Sequence, residues 1–150
     1  MPGSGKSTYI DELKEANSDR DYVVLSTDDV LESLGNEQGW DYNQAFKNIP
    51  FKKVQAIFNT NFQQAVKDKK DIILDQTNLT VKSRAKKLNK LPEEYRKIAI
   101  VFIVTADELE RRLNERFAKT GKSVPEFILN NMIRSYIPPS HSEFDEIIEV

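Results

Sequence analysis

The run Gly3-Ser4-Gly5-Lys6-Ser7-Thr8 sets glycine, lysine and hydroxyl side chains beside one another in the pattern of a polyphosphate binder. Gly-Lys-Ser forms the end of G-x-x-x-x-G-K-[ST], and each residue type has a reason to be there. Gly3 and Gly5 let the backbone curl close to phosphate oxygens, where a Cβ would obstruct the approach. Successive N–H groups at the start of a helix, aided by its macrodipole, favour an anion. Lys6 has the reach for β- and γ-phosphates, the Ser7 hydroxyl is a Mg²⁺ ligand, and Ser4 and Thr8 complete the cradle. The implied ligands are ATP and Mg²⁺.

Two further polar clusters end apolar runs. Asp21-Tyr22-Val23-Val24-Leu25-Ser26 leads into Thr27-Asp28-Asp29, and Asp71-Ile72-Ile73-Leu74-Asp75 leads into Gln76-Thr77-Asn78. A carboxylate at Asp28 can take the proton of an attacking hydroxyl, while Asp29 can cap the following helix. Asp75, at the end of a buried strand, is a second Mg²⁺ ligand, direct or through water. Arg111, Arg112, Arg116, Lys119 and Lys122 make residues 111–125 a basic segment with two readings. One is a solvated helix face balanced by Glu108, Glu110 and Glu115; the other is a lid whose Arg116 neutralises charge on a transferring phosphoryl group. Trp40, Tyr42 and Phe46 read either as a satellite hydrophobic cluster or as a wall on which a base stacks. His141, in a Pro- and Ser-rich turn, reads as an exposed surface residue.

Elements that would position these groups follow from periodicity. The apolar runs at 21–26, 71–75 and 98–104 predict buried parallel-type strands, and Ile147-Ile148 a last short one. Val30, Leu31 and Leu34 predict a short helix stopped by Gly35, and residues 35–50 a loop with weak helical pieces. Phe51, Val54, Ile57, Phe58, Phe62 and Ala65 recur at helical spacing on one face. A helix over Val81–Leu88 is expected to keep Arg84, Lys86 and Lys87 on its wet side. A charged helix runs from Asp107 to about Lys119, with Leu109 and Leu113 apolar; Gly121 breaks it and Pro125 opens another. Alternating strands and helices predict an α/β domain with a mainly parallel sheet, its ligands outside the carboxyl ends of the strands.

The 150 residues suit one domain, 1–150, able to bury ~70% of its unfolded surface. Lys+Arg 22 against Asp+Glu 24 leaves a net charge of -2, which argues against broad non-specific coating of nucleic acid. Zero Cys excludes a disulfide scaffold, a thiolate metal site and a cysteine nucleophile, and suits a reducing, cytoplasmic setting. No apolar run nears the ~20 residues of a membrane span. The first Gly of the phosphate pattern would precede Met1, as would the strand that normally feeds it. The expectation is therefore a start that is internal to a longer domain, lacking the first, central strand.

Taken together, Pro2-Gly3-Ser4-Gly5-Lys6-Ser7-Thr8, Ser26-Thr27-Asp28-Asp29, Leu74-Asp75-Gln76-Thr77-Asn78, Asn114-Glu115-Arg116-Phe117, Val124-Pro125, and Pro138-Pro139 before Glu143-Phe144 resemble the P-loop kinases. Within them the chain is similar to the 5′-hydroxyl polynucleotide kinases of phages and of mammalian end-repair enzymes. The resemblance implies a three-layer fold, a parallel sheet with helices on both faces. It implies ATP- and Mg²⁺-dependent transfer of a phosphoryl group to a hydroxyl, most simply the 5′-OH of a nucleic-acid end. Asp28 would match the general base, Lys6 and Ser7 the phosphate and metal contacts, and Arg116 a lid arginine. Leu31 stands where the phage enzymes carry a phosphate-gripping Arg, and a second lid Arg falls near Lys119 or Thr120. Leu74-Asp75-Gln76-Thr77-Asn78 also resembles a kinase-like domain of nuclear RNA-associated scaffold proteins. The alternatives are thus a kinase for a nucleoside or other small hydroxyl acceptor, and a nucleotide-gated RNA-binding module without transfer.

Overall fold

A computed structural model describes all 150 residues, in the order α1 (Lys6–Ala16), β1 (Tyr22–Ser26), α2 (Thr27–Glu37), α3 (Tyr42–Asn48), α4 (Phe51–Lys67), β2 (Asp71–Asp75), α5 (Val81–Leu88), β3 (Ile98–Val101), α6 (Ala106–Thr120), α7 (Glu126–Ser135) and β4 (Glu146–Glu149). The chain is α/β with short parallel strands. It divides into two compact units: Ser7–Gln76, and Met1–Lys6 with Thr77–Val150. Each contains one two-stranded parallel sheet, β1 with β2 and β3 with β4.

In the unit of residues 7–76, β1 and β2 run in register from Tyr22 opposite Asp71 to Ser26 opposite Asp75. The helical stripe of α4 supplies most of the core: Val54, Phe58 and Phe62 are at most 2% exposed, with Ala65, Leu25, Leu31 and Ala45 also buried. Phe51 does not join them; it begins the helix and is exposed. Gly35 does not stop α2, which continues to Glu37. Its role is packing, because a Cβ there would come 2.6 Å from the Ala45 Cβ of α3. A cluster of Leu31, Ala45 and Val54, flanked by Val30, Leu34, Tyr42 and Ile49, ties α2, α3 and α4 together. The expected loop over 35–50 thus contains α3, started by a capping box in which Asp41 accepts from Gln44 N and the Gln44 side chain accepts from Asp41 N.

In the other unit, β3 pairs with β4 from Ile98 opposite Glu146 to Val101 opposite Glu149. The apolar run expected to be strand through Val104 leaves the ladder after Val101, although Ile103 N still donates to Val150 O at 2.9 Å. Thr80 and Ser83 form the capping box of α5, and Thr105 caps α6. Gly121, at φ 69°, ends α6 in the left-handed conformation, as its position before Pro125 predicted. Arg84 corrects the sequence reading: far from lying on a wet face, it is 4% exposed. Its guanidinium donates to both Glu143 carboxylate oxygens, at 2.8 and 2.9 Å, and to the carbonyls of Asn78, Ile137 and Pro138. The period-3.6 pattern placed it outward because arginine is polar; the bidentate partner it finds 59 residues later reverses that.

Candidate nucleotide site

The phosphate loop lies on α6. Gly3 has φ 76° and Gly5 φ 102°, backbone states that a side chain strains. A Cβ at Gly3 would sit 3.2 Å from Leu113 Cδ2 and 3.4 Å from Leu109 Cδ1, so the apolar face of α6 forms the floor of the loop. At Gly5 a Cβ would sit 3.4 Å from an Arg112 guanidinium nitrogen. Ser4 is buried, and its Oγ has no hydrogen-bond partner. A tight curve that only glycine tolerates, an unsatisfied buried hydroxyl and an adjacent lysine fit a polyphosphate. Lys6 starts α1, and its Nζ donates to the Met1 carbonyl at 2.9 Å. Ser7 and Thr8 occupy the exposed first turn of the same helix.

Arg112 was not among the residues that the sequence singled out for the site. It donates from Nη1 to the Ser4 carbonyl at 3.3 Å and from Nε to Glu108 at 2.6 Å. Arg111 also pairs with Glu108, and with Glu115. Hydrogen bonds from Arg111 and Arg112 hold the Glu108 carboxyl down to about 2. The balanced-face reading therefore holds for Arg111 and Arg112, while Arg112 additionally touches the phosphate loop. Arg116 is half-buried, and its guanidinium makes no ion pair or hydrogen bond. Spacing reveals the ion pair of Arg112 with Glu108, one turn before it, but not the contact with Ser4, which lies 108 residues away.

In the other unit the β1–β2 register brings the two acidic strand ends level, with Asp75 opposite Ser26. Ser26, not Asp29, caps α2: its Oγ accepts from Asp28 N at 3.2 Å and Asp29 N at 3.3 Å. The expectation that Asp29 caps the helix is corrected on that geometry, because the extended residue that ends β1 is the one placed to receive both amides. Asp28 and Asp29 both lie in the first turn, exposed, where their charge favours the helix dipole. Asp28 accepts one hydrogen bond, from the Tyr42 hydroxyl to Oδ1 at 3.1 Å. Tyr42 packs on the Leu31–Ala45–Val54 cluster, so the satellite-cluster reading is right for that ring; Phe46, stacked on it with ring centroids 6.2 Å apart, is 62% exposed. Asp75 is half-buried, and His141 is exposed as expected.

A family model described as "AAA domain" matches residues 1–139. The chain belongs to the AAA domain family. That places it among P-loop, kinase-like, nucleotide-binding proteins, in keeping with the loop at Gly3–Thr8. The AAA domain chain is also 26% identical over 151 aligned residues to heterogeneous nuclear ribonucleoprotein U-like protein 2 of Mus musculus, and 25% identical to that of Homo sapiens. Each alignment covers 98% of this chain and 20% of the relative, so the chain spans about a fifth of the length of these curated relatives. No helix is long and apolar enough to cross a membrane.

Proposed function

We propose that the protein is an ATP-dependent phosphotransferase whose acceptor is a hydroxyl, the 5′-OH end of a polynucleotide in the favoured form. The observation that carries transfer, beyond nucleotide binding, is the state of Asp28. Because Ser26 does the capping, the Asp28 carboxylate is exposed and held by a single donor, open to an acceptor hydroxyl. In this reading Lys6 and Gly3–Thr8 bind the phosphates, and Arg116, in a lid over 111–125, is the uncommitted cation for charge on the transferring group. Ser7 and Asp75 are the residues that would hold Mg²⁺, whose chemistry is neutralisation of phosphate oxygens. The acceptor oxygen bonds to the γ-phosphorus as the bond to ADP breaks, and the hydroxyl proton passes to Asp28. The exposed ring of Phe46, stacked on Tyr42 beside Asp28, supports an acceptor that carries an aromatic base.

A second reading is a nucleotide-gated RNA-binding module. It is favoured by Leu31, which is buried in the core cluster where phage kinases carry a gripping Arg, and by the ribonucleoprotein name of the relatives. Incubation of the full chain with γ-labelled ATP, Mg²⁺ and 5′-OH DNA or RNA oligonucleotides separates the two. Labelled oligonucleotide that disappears in Asp28→Ala is the expected result. ATP-dependent RNA retention without labelled product would replace transfer with binding, and label transfer only to nucleosides would replace the polynucleotide with a small acceptor.

A further inference from the structure

We infer that Tyr42 is the positioning residue for Asp28, an assignment that rests on the phosphotransfer reading above. The hydroxyl of Tyr42 donates to Asp28 Oδ1 at 3.1 Å across a separation of 14 residues. Both ends of this contact are fixed independently. Asp28 sits in the first turn of α2, its amide bound to the Ser26 cap. Tyr42 begins α3 directly after the Asp41 capping box, and its ring packs on Leu31, Ala45 and Val54. The close approach of Gly35 to Ala45 then holds α2 against α3.

An exposed aspartate samples several side-chain rotamers, and only some of them aim a lone pair at an incoming hydroxyl. A donor carried on a packed ring selects one of them. It occupies Oδ1 and leaves Oδ2 to accept the substrate proton. Tyr42 thus acts through Asp28 and touches neither the nucleotide nor the reacting oxygen. Packing alone would be served equally by phenylalanine, since the ring and its stack with Phe46 do not need the hydroxyl.

The test is Tyr42→Phe in the full chain, alone and combined with Asp28→Asn, under single-turnover conditions. The expected result is a fall in the transfer rate of about tenfold, at the low end for a hydrogen bond to a charged group because the site is open to water. KM for ATP and acceptor, and the urea midpoint, stay within error of the parent. In the Asp28→Asn background the added substitution changes nothing further. Tyr42→Phe at the parental rate, or with an equal loss in both backgrounds, overturns the assignment of Tyr42 while leaving Asp28 as base. Full activity of Asp28→Asn, or no transfer by the parent, overturns the phosphotransfer reading and this inference with it.

Discussion

The buried Arg84 and the half-buried Glu143 form a two-pronged ion pair in which the arginine has every N–H engaged: two bonds go to the carboxylate and three to the carbonyls of Asn78, Ile137 and Pro138. One side chain therefore fastens the start of α5 to the Pro138-Pro139 segment. Removing Glu143 leaves a buried guanidinium unpaired, and removing Arg84 takes the donor from three carbonyls and the carboxylate at once; breaking a fully buried pair typically costs about 3–5 kcal/mol, the upper bound here. Arg84→Leu is expected to destabilise by up to that amount, and Arg84→Lys to rescue little, since an ammonium cannot reproduce the fork. Urea unfolding measures both; a loss below about 1 kcal/mol for Arg84→Leu would contradict the fastening role.

The same pair predicts an acid dependence. The Arg84 guanidinium holds the Glu143 carboxyl below the ordinary carboxylate range, against the opposing effect of burial. A depressed carboxyl stabilises the fold fully above its unfolded value, about 4.3, and loses that contribution as pH falls through the folded value. The difference in stability between the parent and Glu143→Gln should be constant from pH 8 to 5 and shrink on further acidification. Thermal melts across that range would show it.

Gly35→Ala sets two effects against each other. Helix propensity alone favours alanine by about 0.8–1 kcal/mol within α2. The new Cβ would lie 2.6 Å from that of Ala45, however, and two methyl groups on packed helices cannot rotate away. Overpacking of this kind costs about 1–3 kcal/mol, so a net loss of stability is expected in urea unfolding.

Gly5→Ala should lower nucleotide affinity at least about tenfold, because an L side chain strains a φ of 102° and meets Arg112. Gly121→Ala makes the matched comparison, since its φ is 69° but its Cβ would meet nothing within 4 Å. Affinity for ATP in the second variant should match the parent by calorimetry, with a stability loss of about 1 kcal/mol.

Arg112 and Arg116 should separate binding from transfer. Arg112 touches Ser4 of the loop, so Arg112→Ala should weaken ATP binding severalfold. Arg116, which has no partner, should leave binding within twofold in Arg116→Ala but slow any transfer. Equal effects of the two substitutions on affinity would refute the distinction.

Gly3–Thr8, the strand cores 22–26 and 71–75, and α4 were all legible from residue order. Glycine spacing, β-branched runs and an apolar stripe are local patterns, and each depends on neighbours within a turn or a strand. What periodicity could not supply was the partner across the chain. Arg84 reads as a solvated residue until Glu143 is brought to it, and Arg112 reads as half of a surface ion pair until the loop is laid on α6. Asp29 reads as the cap of α2, and only the extended backbone at Ser26 gives that place to the serine.

The amino-acid sequence by itself determined the α/β class, the phosphate loop and the acidic residues at the strand ends, because those rest on covalent neighbours and backbone propensity. Tertiary structure alone decided which of these groups are committed and which are open. Ser26 frees Asp28 from capping, Tyr42 comes from another helix to hold it, and Glu143 removes Arg84 from the surface. The reason is physical: a hydrogen bond or ion pair between residues distant along the chain exists only once packing has set both ends, and no local pattern encodes that distance.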